Sequence, residues 1–407
     1  MTLTVLNDDQ IRSLVDNLTK DELSQFGASL AAALHEYSAG PTSSVQQPER
    51  TSIHNAAIGA TTLFMPSSSS MGNSVKVITL TSPAPPPPPA PTSAPATTTA
   101  AAATPATIPP TGATLLLTPT GAPRGLLHAR TLTAFRTALA SLSVLLRRAR
   151  PPGPRGFVMV VFGCGEQAYW HARLALLALD PGAASRVVFA GRSAAAEEAM
   201  AARFEALRRA GKAAEEGWEG CWVGGLGNGE GEDNKKEDRE SRLDALLREA
   251  DVVVCCTPST VPLWPAGVWD RGSDAEGQGR SNKGRLVVAI GSYTPSMKEI
   301  PQEWVRRVMD EGLVIVDTVA GALTEAGELI EAGVTREQLV ELGTLLGPRG
   351  EAGLQVKGRQ VPDVGQCLAQ GNVIYKSVGV GLMDLAVGMH LVKHAETKAV
   401  GTVLRDF

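Results

Sequence analysis

Gly156-Phe157-Val158-Met159-Val160-Val161-Phe162-Gly163-Cys164-Gly165-Glu166-Gln167-Ala168 is the stretch on which the fold turns. Residues 157–162 form a continuous apolar run, as in a parallel strand buried on both faces; a strand with one wet face would alternate. Residues 163–168 follow G-x-G-x-x-G/A, with Ala168 in the third small position. Gly163 permits the tight turn, and Gly165 lets a pyrophosphate approach backbone N–H groups at the positive end of the next helix. Glycine is common in this chain, at 42 residues. The pattern therefore gains its weight from its place between a buried strand and a helix.

Working outward toward the C-terminus, apolar periodicity predicts a helix over Tyr169–Leu179, a strand over Arg186–Ala190 and an Ala-rich helix over Ala194–Arg209. A helix over Leu243–Ala250 and strands over Asp251–Cys256, Arg285–Ile290 and Leu313–Asp317 follow. Strands separated by helices mean an α/β, doubly wound parallel sheet. In such a sheet the end of the second strand reads the cofactor. The chain has Ala190-Gly191-Arg192-Ser193 there, with no Asp or Glu to bond the ribose hydroxyls. A guanidinium and a hydroxyl suit a 2′-phosphate, so NADP(H) is preferred, with NAD(H) the alternative. Taken alone, Arg192 equally reads as a solvated arginine at a helix start. Thr257 ends a strand at the ligand-binding edge, or simply makes a turn before Pro258. Cys255 and Cys256 read as core, since unpaired cysteine packs as a small hydrophobe.

Toward the N-terminus, Thr2–Leu6 reads as a strand, and Thr19 with Glu22 has capping-box spacing before a helix carrying Leu23, Phe26, Leu30 and Leu34. Ser74–Leu80 and Ala113–Leu117 read as strands. Between them, residues 83–110 hold eleven of the 27 prolines, with Ala and Thr filling most of the rest. Such a segment cannot pack a core and reads as a disordered insertion. The charged stretches Gly224–Ser241 and Asp270–Gly284 read as surface loops.

Composition narrows the function classes. Lys+Arg 38 against Asp+Glu 42 gives a net charge of −4, which argues against nucleic acid as a partner. The five cysteines lack metal-ligand spacing, so no metal site is expected. No apolar run is long enough to span a membrane, and the start lacks a basic, then greasy, leader. A soluble cytoplasmic protein is the expectation.

Several segments together resemble the ornithine cyclodeaminase/mu-crystallin family: Arg50, Met65-Pro66, Val75-Lys76-Val77-Ile78-Thr79, Thr120-Gly121-Ala122-Pro123, Thr133-Ala134-Phe135-Arg136-Thr137-Ala138, the glycine loop, Ala289-Ile290-Gly291-Ser292, Lys298-Glu299-Ile300 and Lys376-Ser377-Val378-Gly379. They follow the family order along nearly the whole chain. The resemblance implies a discontinuous α+β substrate-binding and dimerisation domain (1–148) and a doubly wound Rossmann domain (149–379). Residues 380–407 would be a C-terminal helix returning to the first domain. It implies a homodimer with a small imino- or amino-acid substrate. Arg50, Lys76 and Arg136 would hold the substrate carboxylate, with Val378 beside it and Lys76, Arg50 and Tyr293 nearest the chemistry. Thr111, Arg136, Gly163, Gly165, Glu166, Gln167, Ala168, Gly191, Arg192, Ser193, Thr257, Ala289, Ile290 and Ser377 would contact the cofactor. Without the resemblance, Lys76 reads as an exposed strand residue, and the two arginines as surface or salt-bridged.

One departure separates activities. Where the resembled cyclodeaminases carry an aspartate that activates the substrate amine, this chain has Tyr293. A phenol is no counter-charge for an ammonium group at neutral pH. Reduction of small carboxylated imines such as cyclic ketimines, or the reverse amino-acid oxidation, is therefore expected ahead of ornithine cyclodeamination. A third reading is a crystallin-like binder of a small ligand with little turnover. Because residues 83–110 add almost no burial, replacing them with a short Gly/Ser connection should leave yield and thermal midpoint within error. Loss of soluble protein would show that the segment packs or that it guides dimer assembly.

Overall fold

The computed structural model describes residues 2–40, 43–81, 110–149, 155–227, 235–269, 284–291, 294–347 and 364–407. The proline-rich stretch, apart from Pro110, and most of Asp270–Gly284 lie outside them. The chain divides into two compact units. One comprises Met1–Asp16, Val45–Thr133 and Asp384–Phe407; the other comprises Asn17–Ser44 and Ala134–Met383.

The first unit is built on strands β1 (Thr2–Leu6), β2 (Thr51–Asn55), β3 (Ala60–Ser69), β4 (Gly72–Thr81), β5 (Thr111–Leu117) and β6 (Pro123–His128). With the closing strand Thr402–Arg405 they form a seven-stranded sheet, ordered closing strand, β1, β6, β5, β4, β3, β2. That closing strand pairs antiparallel with β1, so the C-terminal segment is a helix, Gly381–Thr397, followed by a strand. Four residues with an arginine at the end carry too little period-2 signal to announce themselves. β3 also carries a weak strand signal, because Pro66 interrupts it and proline gives the ladder no N–H. The structure accommodates Pro66 beyond the end of β2, which pairs only with Ala60–Phe64, and Gln47 Nε2 donates to the Pro66 carbonyl at 3.1 Å.

Alternation on β4 buries Ser74, Lys76 and Ile78 on one face. The Gly381–Thr397 helix packs there, with Asp384 meeting Lys76 and Val392 lying over Gly125. Close approach requires glycine on both sides: a Cβ on Gly125 would lie 2.8 Å from Val392, and one on Gly388 would lie 3.1 Å from Leu116. At the helix end, Arg124 grips Glu396 with two hydrogen bonds of 2.6 Å.

The second unit carries β7 (Phe157–Phe162), β8 (Ala184–Ala190), β9 (Trp222–Gly225), β10 (Val252–Cys255), β11 (Leu286–Ala289), β12 (Leu313–Val316), β13 (Leu339–Glu341) and β14 (Val373–Lys376). All eight are parallel, in the order β13-β12-β14-β11-β10-β7-β8-β9. Chain direction reverses its progress across the sheet at β7, with β8 on one side and β10 on the other. That is the topological switch point where doubly wound sheets bind ligands. Every residue of β7, β10, β11, β12 and β14 is buried, as the continuous apolar runs require. The Lys20–Ser38 helix belongs to this unit and has the expected capping box at Thr19 and Glu22. Its Phe26 meets Phe135 edge-on at 5.4 Å, and Phe135 meets Trp170 at 5.6 Å.

One expected loop is partly regular. Trp222–Gly225 is a strand, and Lys235–Glu249 is a helix that begins well before Leu243. Its Lys, Glu and Arg residues are strong helix formers, and Leu246 and Leu247 bury one face.

A buried ion pair joins the Glu166–Ala178 helix to Lys212–Glu216. Arg173 donates to both oxygens of Glu216 at 2.7 Å, and Trp218 Nε1 donates to the same carboxylate at 2.8 Å. Glu216→Ala should cost about 3–5 kcal/mol, because it removes the counter-charge of a buried guanidinium. Arg173→Met/Glu216→Leu should cost less than the single change. Urea unfolding of the three proteins measures the difference.

Candidate functional site

At the end of β7 the chain turns through Gly163 with φ +107°. Its N–H donates to the Ala190 carbonyl at 3.0 Å, and a Cβ there would lie 3.2 Å from the Cys256 carbonyl and Thr257 Oγ1. Both the dihedral and the packing against the end of β10 demand glycine. Gly165 is the N-cap of the Glu166–Ala178 helix with no side-chain cap, and a Cβ on it would meet open space. The first backbone bond of that helix is Tyr169 N–H to the Gly165 carbonyl, at 3.0 Å. The N–H groups before it are the ones an anion would use. Gln167 Oε1 is buried without a hydrogen-bond partner among the described residues. An open glycine cradle and an orphaned acceptor beside it fit a dinucleotide. Glu166 meets Arg203 at 3.2 Å, and Arg203 lies over the Tyr169 ring.

At the end of β8, Arg192 is exposed and makes no hydrogen bond or ion pair with another described residue. Ser193 caps the Ala194–Arg209 helix by accepting from Ala196 N–H at 3.3 Å. The sequence shows no acid at this strand end, but the fold brings one in. Glu197, buried, accepts from Gly191 N–H and Gly227 N–H, both at 2.8 Å, and pairs with Arg239. A Cβ on Gly191 would lie 2.7 Å from Cys164 Sγ. Burial and the Glu197 charge push the Cys164 thiol up to about 11.

The neighbouring strand ends converge on a second buried acid. Glu299 accepts from Thr257 N–H at 3.1 Å and Gly291 N–H at 2.7 Å, which joins the ends of β10 and β11. Lys376, at the end of β14, lies 3.4 Å from Glu299 and 2.8 Å from Glu328. Burial, with Glu328 adding to it, lifts Glu299 to about 7 against the pull of Lys376 and the two N–H donors. Burial alone would lower Lys376, but Glu328 and Glu299 outweigh it and hold it above the ordinary lysine value. Burial also raises the Cys255 and Cys256 thiols, the state expected of packed rather than reactive cysteines. Ala289 is buried at the end of β11, and Ile290 N–H donates to the Cys255 carbonyl at 3.1 Å.

Asp317 organises the Lys376–Gly379 turn. It accepts from Ser377 Oγ at 2.6 Å, Val378 N–H at 3.2 Å and Gly379 N–H at 2.7 Å. Gly379 has φ +83°, and a Cβ on it would lie 3.1 Å from Arg136 Nη2. The second unit therefore brings Arg136, Ser377 and Val378 together. The roles of Asp317, Glu299 and Glu197 escaped sequence reading, because each accepts from backbone N–H groups that only the folded strand ends bring to it.

In the first unit Lys76 is buried, with its Nζ 2.8 Å from Asp384 Oδ2. It is not the exposed strand residue that it resembles in isolation. Its partners across the sheet are Met65 and Thr114. Arg50 is half-buried just before β2. Thr111 opens β5 and is exposed. Tyr293 lies outside the described residues.

No protein-family profile matches the chain. Over 267 residues it is 30% identical to Delta(1)-pyrroline-2-carboxylate reductase 1 of Burkholderia multivorans, a match covering 66% of this chain and 64% of that protein. The match thus spans under two thirds of that curated relative's length. Its fold is similar to that of Thermococcus litoralis Delta(1)-pyrroline-2-carboxylate reductase in complex with NADH and L-proline. There the TM-score is 0.65 at 18% identity, covering 98% of this chain and 99% of that one. It is also similar to a probable ornithine cyclodeaminase from Bordetella pertussis Tohama I, with a TM-score of 0.64 at 21% identity over 98% and 99% of the two chains.

Glu299 carries a pH signature. Its folded value, about 7, lies above the ordinary 4.5. Its contribution to stability is therefore complete below pH 4.5 and is lost as pH rises through 7. The loss should be on the order of 3 kcal/mol. Urea stability of wild type should fall from pH 5 to pH 8 relative to Glu299→Gln; parallel curves would contradict the assignment.

Proposed function

Because the chain belongs to the ornithine cyclodeaminase/mu-crystallin family, we propose that it is an NAD(P)H-dependent oxidoreductase acting on C=N bonds. Its substrates are small cyclic imines that carry a carboxylate, and the same site runs the reverse amino-acid oxidation. The observation that carries this reading is the identity to a reductase whose named substrate is such an imine. When bound, a nicotinamide cofactor would supply the hydride for the imine carbon. The residues of this chain hold the carboxylate, orient the ring and deliver a proton to nitrogen.

Arg50 and Arg136 hold the carboxylate, because a planar guanidinium can donate two parallel hydrogen bonds to it and so fix the adjacent carbon. Lys76 adds positive charge and passes a proton from Nζ to the imine nitrogen, with Asp384 at 2.8 Å holding the ammonium in place. Val378 packs against the substrate. Gly163, Gly165, Glu166, Gln167 and Ala168 take the pyrophosphate, and Thr111, Thr257, Ala289, Ile290 and Ser377 line the rest of the cofactor. Gly191, Arg192 and Ser193 favour NADP(H) over NAD(H), supported by the exposed Arg192 guanidinium.

The protein works in the cytoplasm as a homodimer. The outer face of the seven-stranded sheet supports the dimer: Pro66, Val75, Leu115 and Leu126 lie side by side across four strands and are half-buried or exposed. No helix among the described residues is long and apolar enough to cross a membrane.

NADPH consumption with Delta(1)-pyrroline-2-carboxylate tests the activity, and ornithine should release no ammonia. Arg50→Met and Arg136→Met should each cost about 2–5 kcal/mol of transition-state binding, at least roughly thirtyfold in kcat/KM. The loss should vanish for the carboxamide analogue, which offers nothing to clamp. Variants that treat acid and amide as wild type does would refute the carboxylate reading. Lys76 is a poorer probe, since its removal takes a counter-charge from buried Asp384.

A further inference from the structure

We infer that the Glu197–Arg239 pair makes the end of β8 select a 2′-phosphate over a free ribose diol. This rests on the reading that the chain prefers NADP(H), and it concerns residues outside the glycine loop and the Arg192-Ser193 dipeptide. In a doubly wound sheet, an acid at this strand end accepts from the ribose hydroxyls and repels a phosphate. Glu197 is an acid that reaches this place from the helix behind it, yet nothing of it remains for a ribose. Oε1 is taken by Gly191 N–H at 2.8 Å and by Arg239, and Oε2 by Gly227 N–H at 2.8 Å. The residue is 1% exposed. Gly225 makes room for it, since a Cβ there would lie 2.5 Å from that of Glu197.

Arg239 is held in turn. It donates to the Gly191 carbonyl at 2.8 Å and the Gly227 carbonyl at 2.9 Å, while its side chain stays 23% exposed. Its guanidinium thus lies against the same Gly191 that precedes Arg192. The charge sum decides the site's sign. Glu197 and Arg239 cancel, so the buried acid does not offset the exposed Arg192 guanidinium. Without Arg239, the Glu197 charge would cancel Arg192 instead, with its field reaching a bound phosphate through a partly dry medium. The carboxylate would also regain a free acceptor for a ribose hydroxyl.

Dissociation constants for NADPH and NADH, and for 2′,5′-ADP and 5′-AMP as adenosine-side fragments, test this by titration calorimetry without turnover. Arg239→Gln should move the NADPH-to-NADH affinity ratio toward NADH by about tenfold or more, with the fragments shifting in parallel. Glu197→Gln/Arg239→Gln should recover most of that shift, because the unpaired charge is gone. Arg239→Lys keeps the charge and should hold the ratio within about threefold of wild type. An unchanged ratio in Arg239→Gln, or equal weakening of both cofactors, would overturn the inference and leave the pair a structural tie. Should the double variant fail to fold, the contrast between Arg239→Gln and Arg239→Lys still decides. Arg192→Ala separates the two claims. If it leaves the ratio untouched, the cofactor reading falls, while the Arg239 shift, measured against wild type, still judges the pair.

Discussion

Glu299 is a fully buried carboxylate holding the ends of two adjacent parallel strands, and the ligand-binding edge of the sheet depends on it. Parallel strands stop being partnered where their loops begin, and the N–H groups just past β10 and β11 need acceptors inside the protein. Glu299 supplies one oxygen to Thr257 and the other to Gly291. Its charge rests on Lys376 from the end of a third strand, β14. One acid thereby sets the relative positions of three strand ends, each of which carries or adjoins a residue assigned to the cofactor.

The same solution recurs along that edge. Asp317 accepts from three groups of the turn after β14, and Glu197 joins the residues after β8 and β9. A carboxylate has two oxygens and about four lone-pair directions, so it can serve several N–H donors that no strand reaches. Burying such charges is expensive, and each is compensated differently. Glu197 has a guanidinium, Glu299 shares an ammonium with Glu328 and titrates near neutrality, and Asp317 relies on backbone and hydroxyl donors. The binding edge is thus stiffened by polar contacts whose cost the apolar strands beneath offset.

The first unit meets a related problem in a different setting. Lys76 points inward from a sheet whose inner face is otherwise apolar and hydroxylic, and Asp384 on the covering helix answers it at 2.8 Å. The pair is separated by more than three hundred positions in the chain, so it exists only when the C-terminal helix lies on the sheet. The helix does so closely because Gly125 and Gly388 remove the side chains that would hold it away.

Sequence was sufficient wherever one residue class did the work locally. The run Phe157–Phe162 with its glycine turn, the Thr19 and Glu22 cap, and the alternation through Lys76 all declared their elements, because burial and backbone geometry there are properties of neighbours in the chain. What stayed hidden depended on distant partners. β3 tolerates Pro66 because β2 ends short of it, and the closing strand exists because β1 offers an open edge. A charged stretch becomes helix Lys235–Glu249 once Leu246 and Leu247 find a sheet to cover. Lys76 changes from a surface candidate to a buried cation only through Asp384. Glu197, Glu299 and Asp317 look like ordinary acids in the sequence. Their roles arise from backbone N–H groups that folding leaves without partners, and a linear chain holds no record of which those will be.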